Sequence, residues 1–477
     1  MLFNSISFAI FLPIIYVLHW FFAKNKYHKN ILLLVASYYF YSCWDFRFLF
    51  LLIFSTGLDY ITGIKIHSAK HTQQKKIWFW MSVIINLGFL GVFKYYNFFA
   101  ETMLAAMRDL GIDSDIRTLN IILPVGISFY TFHGLSYVID IYYDRIEPEK
   151  NFIVYSLFVS FFPLLVAGPI ERATHLLPQL KKDRTFSYER SIDGLRQILW
   201  GLFKKMVIAD TCAQYVNLIF GNNESYSAST LVLGAFLFAF QIYGDFSGYS
   251  DIALGTARLF GVDLLKNFSY PYFSRDISEF WRRWHISLST WFRDYLYIPL
   301  GGSRESTLIK IRNTFIIFLV SGFWHGANWT FIFWGALHAF YFIPLLIYNK
   351  NRANLDIPAA GQMFPTIREF LAISSTFTLT AFAWIFFRAD NLNHAFTYIG
   401  QLFSSSLFNL PEILPKRIIG LIAVFVVLEW MGRENNFALE KLAMNQPRFL
   451  RLSIYYSIIL AIFLWGGLEQ KFIYFQF

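Results

Sequence analysis

Two histidines, His285 and His325, are the side chains of this sequence best suited to proton transfer. An imidazole titrates near neutrality, so it can act as a general base towards a hydroxyl group. His285 stands in the aromatic, arginine-rich segment SEFWRRWHISLSTWFRDY, whereas His325 stands in the apolar run NTFIIFLVSGFWHGANW. A titratable side chain in hydrocarbon costs free energy, so it usually faces the interior of a helix bundle or a wet cavity. Such a cavity has to be built by the rest of the chain.

The composition predicts an all-α polytopic membrane protein. Of the 477 residues, 56% are hydrophobic and only 15% are charged, whereas soluble domains contain about 25% charged residues. Short alternating segments, which would indicate a membrane barrel, are absent. The net charge of +10 is carried by short basic patches between apolar runs, which is typical of loops beside anionic lipid rather than of nucleic-acid binding. Cys43 and Cys212 provide neither a disulfide framework nor metal-ligand spacing.

The apolar runs predict about 11–13 membrane helices, because many of them approach the roughly 20 residues that a helix needs to cross hydrocarbon. They fall at 6–23, 31–43, 46–64, 77–99, 119–143, 151–167, 192–220, 230–261, 313–347, 370–387, 418–432 and 452–468. The run 313–347 is long enough for a hairpin. Broken helices at membrane depth survive only inside protein or beside a cavity. Proline and glycine therefore lead us to expect re-entrant or half-length helices near 151–200 and 270–300.

Lysine and arginine counts predict the orientation of this single membrane domain, residues 1–477. The basic loops after the first and third runs are expected in the cytoplasm, which places the N-terminus outside. The segments 275–312 and 433–451 are also expected in the cytoplasm, so the final helix places the tail 472–477 outside. Lys416 and Arg417 fall on the outer side in this arrangement and count against it.

The segment around His285 combines aromatic residues with arginines. Asp276 and Glu279 resemble a capping box, which predicts that a helix begins there. The residues at helical spacing form one aromatic stripe: Trp281, Trp284, His285, Leu288, Trp291, Phe292 and Tyr295. The predicted helix lies near the cytoplasmic interface. Snorkelling arginines of an interfacial belt explain most of these residues, but for His285 a functional and a structural role are both open.

Depth distinguishes His325 from His285. It lies 12 residues beyond residue 313, or some 18 Å at about 1.5 Å per residue, near the middle of a roughly 30 Å core. Ser321, Gly322 and Gly326 keep its surroundings small. A histidine satisfied by a neighbouring carbonyl is the structural alternative, and the central position favours function. His338 is expected to be structural.

Two further features interrupt or end apolar sequence. Asp245 and Asp251 lie six residues apart, and without a nearby His or Cys they favour cavity lining or pairing with an arginine over metal ligation. The hexapeptide FIYFQF (472–477) could be an aromatic interfacial anchor. Tyr474 is its only residue with a hydroxyl group.

Motifs in order along nearly the whole chain resemble the membrane-bound O-acyltransferase family, and within it the bacterial alginate O-acetylation branch. They are MLFNSISF, LPVGISFYTFHGLSYVIDIYY (123–143), GPIERATHLLPQL (168–180), the stretch 248–304 that ends in YIPLGGSR, SGFWHGANWTFIFWGALHAFY (321–341) and FIYFQF. The resemblance implies tilted helices around a central funnel. It also implies that His325 is the catalytic histidine and His285 the second motif histidine.

The same resemblance implies a multi-pass enzyme of the bacterial inner membrane without a tightly bound cofactor. Its acyl donor, by default acetyl-CoA, would bind from the cytoplasm, and Tyr474 would carry the acyl group outside. An extracytoplasmic SGNH-hydrolase-like acyltransferase would then pass it to a polysaccharide. The residues expected to contact substrate are Arg282, Arg283, Arg293, Arg304, Trp324 and Asn328, with the arginines suited to donor phosphates.

Two other functions fit parts of the pattern. Polytopic helices with polar residues at mid-membrane also suit a transporter or flippase for a lipid-linked saccharide. A docking scaffold whose chemistry resides in a partner is a third reading. The absence of visible internal repeats and the presence of both histidine motifs favour acyl transfer.

Overall fold

Every regular element that the structure describes is a helix, as the composition predicts. The computed structural model describes residues 1–113, 116–119, 121–166, 168–442, 444–470 and 472–473. The chain divides into two compact units. Unit 1 comprises Met1–Ser191 and Thr256–Leu265, and unit 2 comprises Ile192–Gly255 and Lys266–Phe477.

Unit 1 is built from the N-terminal helices. They are α1 (Ile6–Val17), α2 (Lys26–Ser42), α3 (Phe46–Ser68), α4 (Thr72–Leu90), α5 (Tyr96–Asp109), α6 (Ile127–Tyr142), α7 (Phe152–Ser160), α8 (Phe162–Leu165) and α9 (Ala173–Lys181). One buried cluster of polar groups in this unit is paired, as an apolar interior favours. The Asp59 carboxylate accepts hydrogen bonds from Ser82 Oγ and Asn86 Nδ2, each at 2.7 Å. This cluster joins α3 to α4.

Unit 2 holds both histidines and the described part of the tail. Two long helices, α10 (Tyr188–Leu202) and α12 (Ala228–Leu259), contribute residues to both units. The remaining helices of unit 2 are α11 (Asp210–Gly221), α13 (Ile277–Arg283), α14 (Ile286–Phe292), α15 (Thr307–His325), α16 (Trp329–Ile347), α17 (Ile367–Arg388), α18 (Leu392–Leu402), α19 (Lys416–Gly432) and α20 (Arg448–Trp465). A π-helical segment, Phe203–Ala209, joins α10 to α11.

Seven helical stretches among the described residues are long and apolar enough to cross a membrane, which confirms the polytopic class. They are Phe46–Ser68, Thr72–Asp109, Ala228–Leu259, Thr307–His325, Trp329–Ile347, Ile367–Arg388 and Arg448–Trp465. The hairpin expected within 313–347 is confirmed as α15 and α16. The broken regions expected near 151–200 and 270–300 are confirmed by the short helices α7, α8, α9, α13 and α14.

Candidate functional site

His285 lies at a break between two short helices, so the prediction of one continuous aromatic helix is wrong. Trp284 is extended after α13, and His285 has φ 44° and ψ 54°, in the left-handed region, immediately before α14. The left-handed conformation costs an L-residue about 1–2 kcal/mol. Neighbouring backbone supports it, since Ser269 N donates to Arg283 O at 3.0 Å and Ile286 N donates to Asn267 O at 2.9 Å.

The start of α13 agrees with the sequence, but one arginine acquires a structural partner. The Asp276 side chain accepts from Glu279 N at 2.7 Å, so the predicted helix start is confirmed. The Glu279 carboxylate accepts from Arg275 N at 2.7 Å and pairs with Arg283 at 2.9 Å. Arg283, predicted to meet substrate, is therefore held in a buried ion pair beside the break.

Trp324 brings the two histidines into one buried cluster. His285 and His325 are 0% and 2% exposed. The Trp324 ring centroid lies 6.0 Å from that of His285 and 4.9 Å from that of His325. One tryptophan ring therefore lies beside both histidines, and the predicted difference in their membrane depth stays a prediction.

The surroundings of each histidine are aromatic. His285 packs edge-on against Phe246, with ring centroids 4.7 Å apart, and His325 contacts Trp334 at 5.2 Å and Phe387 at 5.4 Å. Neither ring nitrogen of His285 has a hydrogen-bond partner among the described residues. His285 lies outside the seven spanning stretches, and burial lowers its pKa to about 3. It is therefore a neutral imidazole with buried polar atoms available to a bound group.

The turn after His325 is shaped by a cap and a glycine. Asn328 caps α16, because its Oδ1 accepts from Thr330 N at 3.0 Å, while its Nδ2 donates to Asp390 O at 2.8 Å. A Cβ on Gly326 would collide with the Phe331 ring. These contacts hold His325 at the end of α15, and the predicted substrate role of Asn328 stays a prediction.

His338 lies on α16, the second helix of the hairpin. Trp281 Nε1 donates to His338 Nδ1 at 3.3 Å, and the imidazole is 0% exposed. The contact links α13 to α16, and the structural role expected for His338 stays a prediction.

The described end of the tail is buried rather than exposed. Phe472 and Ile473 are 0% and 2% exposed. The Phe472 ring centroid lies 4.7 Å from Tyr249 and 6.0 Å from Phe246, the ring that also touches His285. Tyr474 lies outside the described residues. The burial of Phe472 disfavours the interfacial-anchor alternative for this part of the hexapeptide.

The two carboxylates of α12 pair with adjacent lysines. Asp245 lies 2.7 Å from Lys205, and Asp251 lies 2.5 Å from Lys204. The expectation of an arginine partner is therefore wrong. Each lysine is far from its carboxylate in the sequence, so the pairing depends on how the helices pack. The local sequence therefore does not predict it. Among the described residues no group of three or more His, Cys, Asp or Glu side chains is arranged to hold a metal ion.

A cavity of about 410 Å³ opens beside the hairpin. Its cationic lining residues are Arg293, Lys310 and Arg352, and its aromatic ones include Trp281 and Phe318. Ser321 also lines it, and that residue lies one helical turn before His325 on α15. A cavity lined by cationic and aromatic groups, with Ser321 one helical turn from a histidine, suits a ligand that has both an anionic and an uncharged part.

Only one of the four predicted arginines lines this cavity. Arg293 does so, and it also pairs with Asp294 at 2.7 Å. Arg282 donates to Asn351 O at 2.9 Å and Asn354 O at 2.6 Å, which ties α13 to the segment after α16. Arg304 is exposed. Lys310 and Arg352 were missed, although a basic residue at the end of an apolar hairpin is a signal that sequence reasoning could have used.

Comparison with known proteins identifies related chains. The profile of the membrane-bound O-acyltransferase family matches residues 145–363, which include both histidines. A protein named probable alginate O-acetylase from Pseudomonas putida is 39% identical over 433 residues, covering 90% of this chain and 86% of the relative. The peptidoglycan O-acetyltransferase of Helicobacter pylori is 36% identical, covering 83% and 78%. The teichoic acid D-alanyltransferase of Bacillus subtilis is 28% identical, covering 58% and 71%.

Proposed function

The chain belongs to the membrane-bound O-acyltransferase family, and we propose that it passes an acetyl group from cytoplasmic acetyl-CoA towards hydroxyl groups of an extracytoplasmic polysaccharide. Acetyl is favoured because two of the similar proteins are named as an alginate O-acetylase and a peptidoglycan O-acetyltransferase. Their acceptors differ, so the proposal commits to a polysaccharide and to no single polymer. The observation that carries it is the buried cluster of His285, Trp324 and His325, with the cationic cavity and the buried tail beside it.

The cavity is the proposed donor site. The phosphates of acetyl-CoA are anionic, and charge-assisted hydrogen bonds from Arg293, Lys310 and Arg352 suit them. The slender pantetheine arm would then extend towards Ser321. From there the thioester is about one helical turn, or about 5.4 Å of rise, from His325. Coenzyme A is too strongly charged to cross hydrocarbon, so the protein passes on only the acetyl group.

The proposed transfer is a nucleophilic acyl substitution. His325 removes the proton from an attacking hydroxyl, whose oxygen bonds to the thioester carbonyl carbon. The carbon–sulfur bond breaks, and the coenzyme A thiolate leaves and takes up a proton. His285 has a neutral ring with buried nitrogens, and it would orient the attacking hydroxyl or donate to the carbonyl oxygen as negative charge develops.

The first acceptor proposed is the hydroxyl of Tyr474. The preceding residue, Ile473, is buried, and Phe472 touches the ring that contacts His285. The acetyl-tyrosine ester would then serve as the acyl donor for an extracytoplasmic SGNH-hydrolase-like acyltransferase, which moves the acetyl group to the polysaccharide. Because transfer occurs from one ester to another, the second step needs no further energy source.

Labelled acetyl-CoA added to one face of proteoliposomes tests this function. We expect label on the protein and on a soluble polysaccharide supplied on the other face with the partner acyltransferase. A transporter or flippase would move a lipid-linked saccharide and leave the protein unlabelled. Absence of acetyl transfer from acetyl-CoA, in a preparation whose insertion and folding are verified, would contradict the proposal.

Reversing charge at the cavity is expected to weaken donor binding. Arg352→Glu combined with Lys310→Glu should raise the KM for acetyl-CoA by about 10-fold or more, because each lost phosphate contact removes about 1.5–3 kcal/mol, and should change kcat little. Arg304→Glu is the matched control, since Arg304 is exposed and is not part of the cavity lining. Initial rates against acetyl-CoA concentration measure both constants. If Arg304→Glu raised the KM as much as the double variant does, the donor site would lie elsewhere.

A further inference from the structure

The chain leaves regular helix after α20, passes through residues that are exposed or half-buried, and becomes buried again at its described end. Residues 466–470 have no helical hydrogen-bond pattern, and the following described residues, Phe472 and Ile473, are buried in unit 2. Non-helical backbone at membrane depth is tolerated only where it is buried in protein or lines a water-filled cavity. The partners of this segment are therefore the groups that determine its position.

One buried lysine joins two carboxylates to the tail. Lys205 is 0% exposed, and its Nζ lies 2.7 Å from Asp210 Oδ1 and 2.7 Å from Asp245 Oδ1. The same Nζ donates to the carbonyl oxygen of Gln470 at 3.1 Å. An ammonium group has three N–H donors and no acceptor, so these three oxygens match its capacity.

Asp245 also binds the tail directly. Asp245 Oδ2 accepts from Ile473 N at 2.7 Å. Lys205 and Asp245 thus hold each other and also hold the tail at two points three residues apart. The backbone is fixed from both its carbonyl and its amide side, immediately before Tyr474 in the sequence.

A glycine brings the start of the segment against the same helices. Gly467 N donates to Met206 O at 2.9 Å. A Cβ at Gly467 would lie 2.7 Å from both Asp210 C and Thr211 N, closer than side-chain carbons approach backbone atoms. Only glycine allows this contact without a shift of the tail away from the junction of the π-helical segment and α11.

The buried ion pair between Lys205 and Asp245 costs desolvation free energy. Burying an ion pair brings a desolvation penalty that an apolar pair of the same volume avoids, and buried charges are best explained where they determine one particular arrangement. Apolar packing alone would permit the tail to slide along its axis. Hydrogen bonds to two defined backbone atoms prevent such a shift.

We propose that Lys205, Asp210 and Asp245 form a socket that locks residues 467–470 and 472–473 in one register, and so positions the tail for acyl transfer. The second half of this inference rests on the proposed function. Lys205 and Asp245 are positioning residues, because they act on the reaction through the tail rather than by touching the donor.

Tail release and kinetics of Lys205→Met test the socket. Carboxypeptidase digestion of the full-length protein in mild detergent, followed by mass spectrometry, is expected to stop before Ile473 in the unaltered protein. In Lys205→Met it should proceed through Ile473 and Phe472 at least 10-fold faster. The kcat for acyl transfer should fall by about 10-fold or more, while the KM for acetyl-CoA changes less than about 2-fold.

The matched control is Lys204→Met. Lys204 is 3% exposed and adjacent in sequence, but it pairs with Asp251 at 2.5 Å. Lys204→Met removes an equally buried charge, and carboxypeptidase digestion should still leave Ile473 in place. If Lys205→Met does not fold, Gly467→Ala provides the second variant, because it displaces the tail while leaving the three charges in place.

The outcomes separate the socket from the proposed function. If Lys205→Met and Gly467→Ala both keep residues 472–473 protected, the socket is overturned, whether or not acetyl transfer is observed. If they release the tail but the unaltered protein transfers no acetyl group, the lock stands and the proposed function fails. If they release the tail and kcat is unchanged, the tail is locked but the lock does not serve transfer, which overturns the positioning role.

Discussion

His325→Ala is expected to lower the kcat of acetyl transfer by about 10²–10⁴-fold, the range that a positioned general base contributes. The imidazole lies at the end of α15, one turn beyond the Ser321 wall of the cavity. Alanine removes the proton acceptor and leaves the cationic residues intact, so the KM for acetyl-CoA should change little. Initial-rate kinetics with the purified protein in proteoliposomes measure both constants.

The matched control is His338→Ala on the other helix of the same hairpin. His338 and His325 are both buried, and their rings lie 5.0 Å and 5.2 Å from Trp334. Removing either imidazole leaves a similar void, so both variants should lose thermal stability. Only His325→Ala should lose the chemical step per folded molecule. Full activity in folded His325→Ala would refute the assignment of the base.

Tyr474→Phe is expected to abolish acetylation of the protein and transfer to the polysaccharide, because the substitution removes the hydroxyl oxygen that would carry the ester. The ring remains, so burial of the preceding Phe472 and Ile473 should persist. Labelled acetyl-CoA, followed by peptide mapping of the C-terminus, identifies the modified residue. We expect the acetyl label on the C-terminal peptide to fall below the detection limit.

Tyr456→Phe controls for adventitious labelling. Tyr456 is 66% exposed on α20, in the same C-terminal region, and should accept no acetyl group. If Tyr474→Phe retains transfer to the polysaccharide, the acetyl group does not travel through this tyrosine. The histidines would then act directly on the final acceptor or on a partner's hydroxyl group.

Sequence reasoning predicted the helix hairpin and the broken regions, because hydropathy and proline or glycine content are local properties of the chain. It predicted a broken region within 270–300 but did not place the break at His285. Aromatic residues continue at helical spacing through Trp284 and Trp291, so nothing in that segment signals an interruption. The break is supported by hydrogen bonds to Asn267 and Ser269, which belong to a different segment.

The sequence by itself determined an all-helical membrane chain of the acyltransferase family and the two histidines with suitable chemistry. Tertiary structure alone decided that Trp324 joins these histidines, that Lys310 and Arg352 line the cavity, and that Lys205 binds Asp245 and the tail. The physical reason is that apolar character and helical period are properties of neighbouring residues. The partner of a buried charge is instead selected by packing between distant segments, where leaving that charge unpaired would cost several kcal/mol.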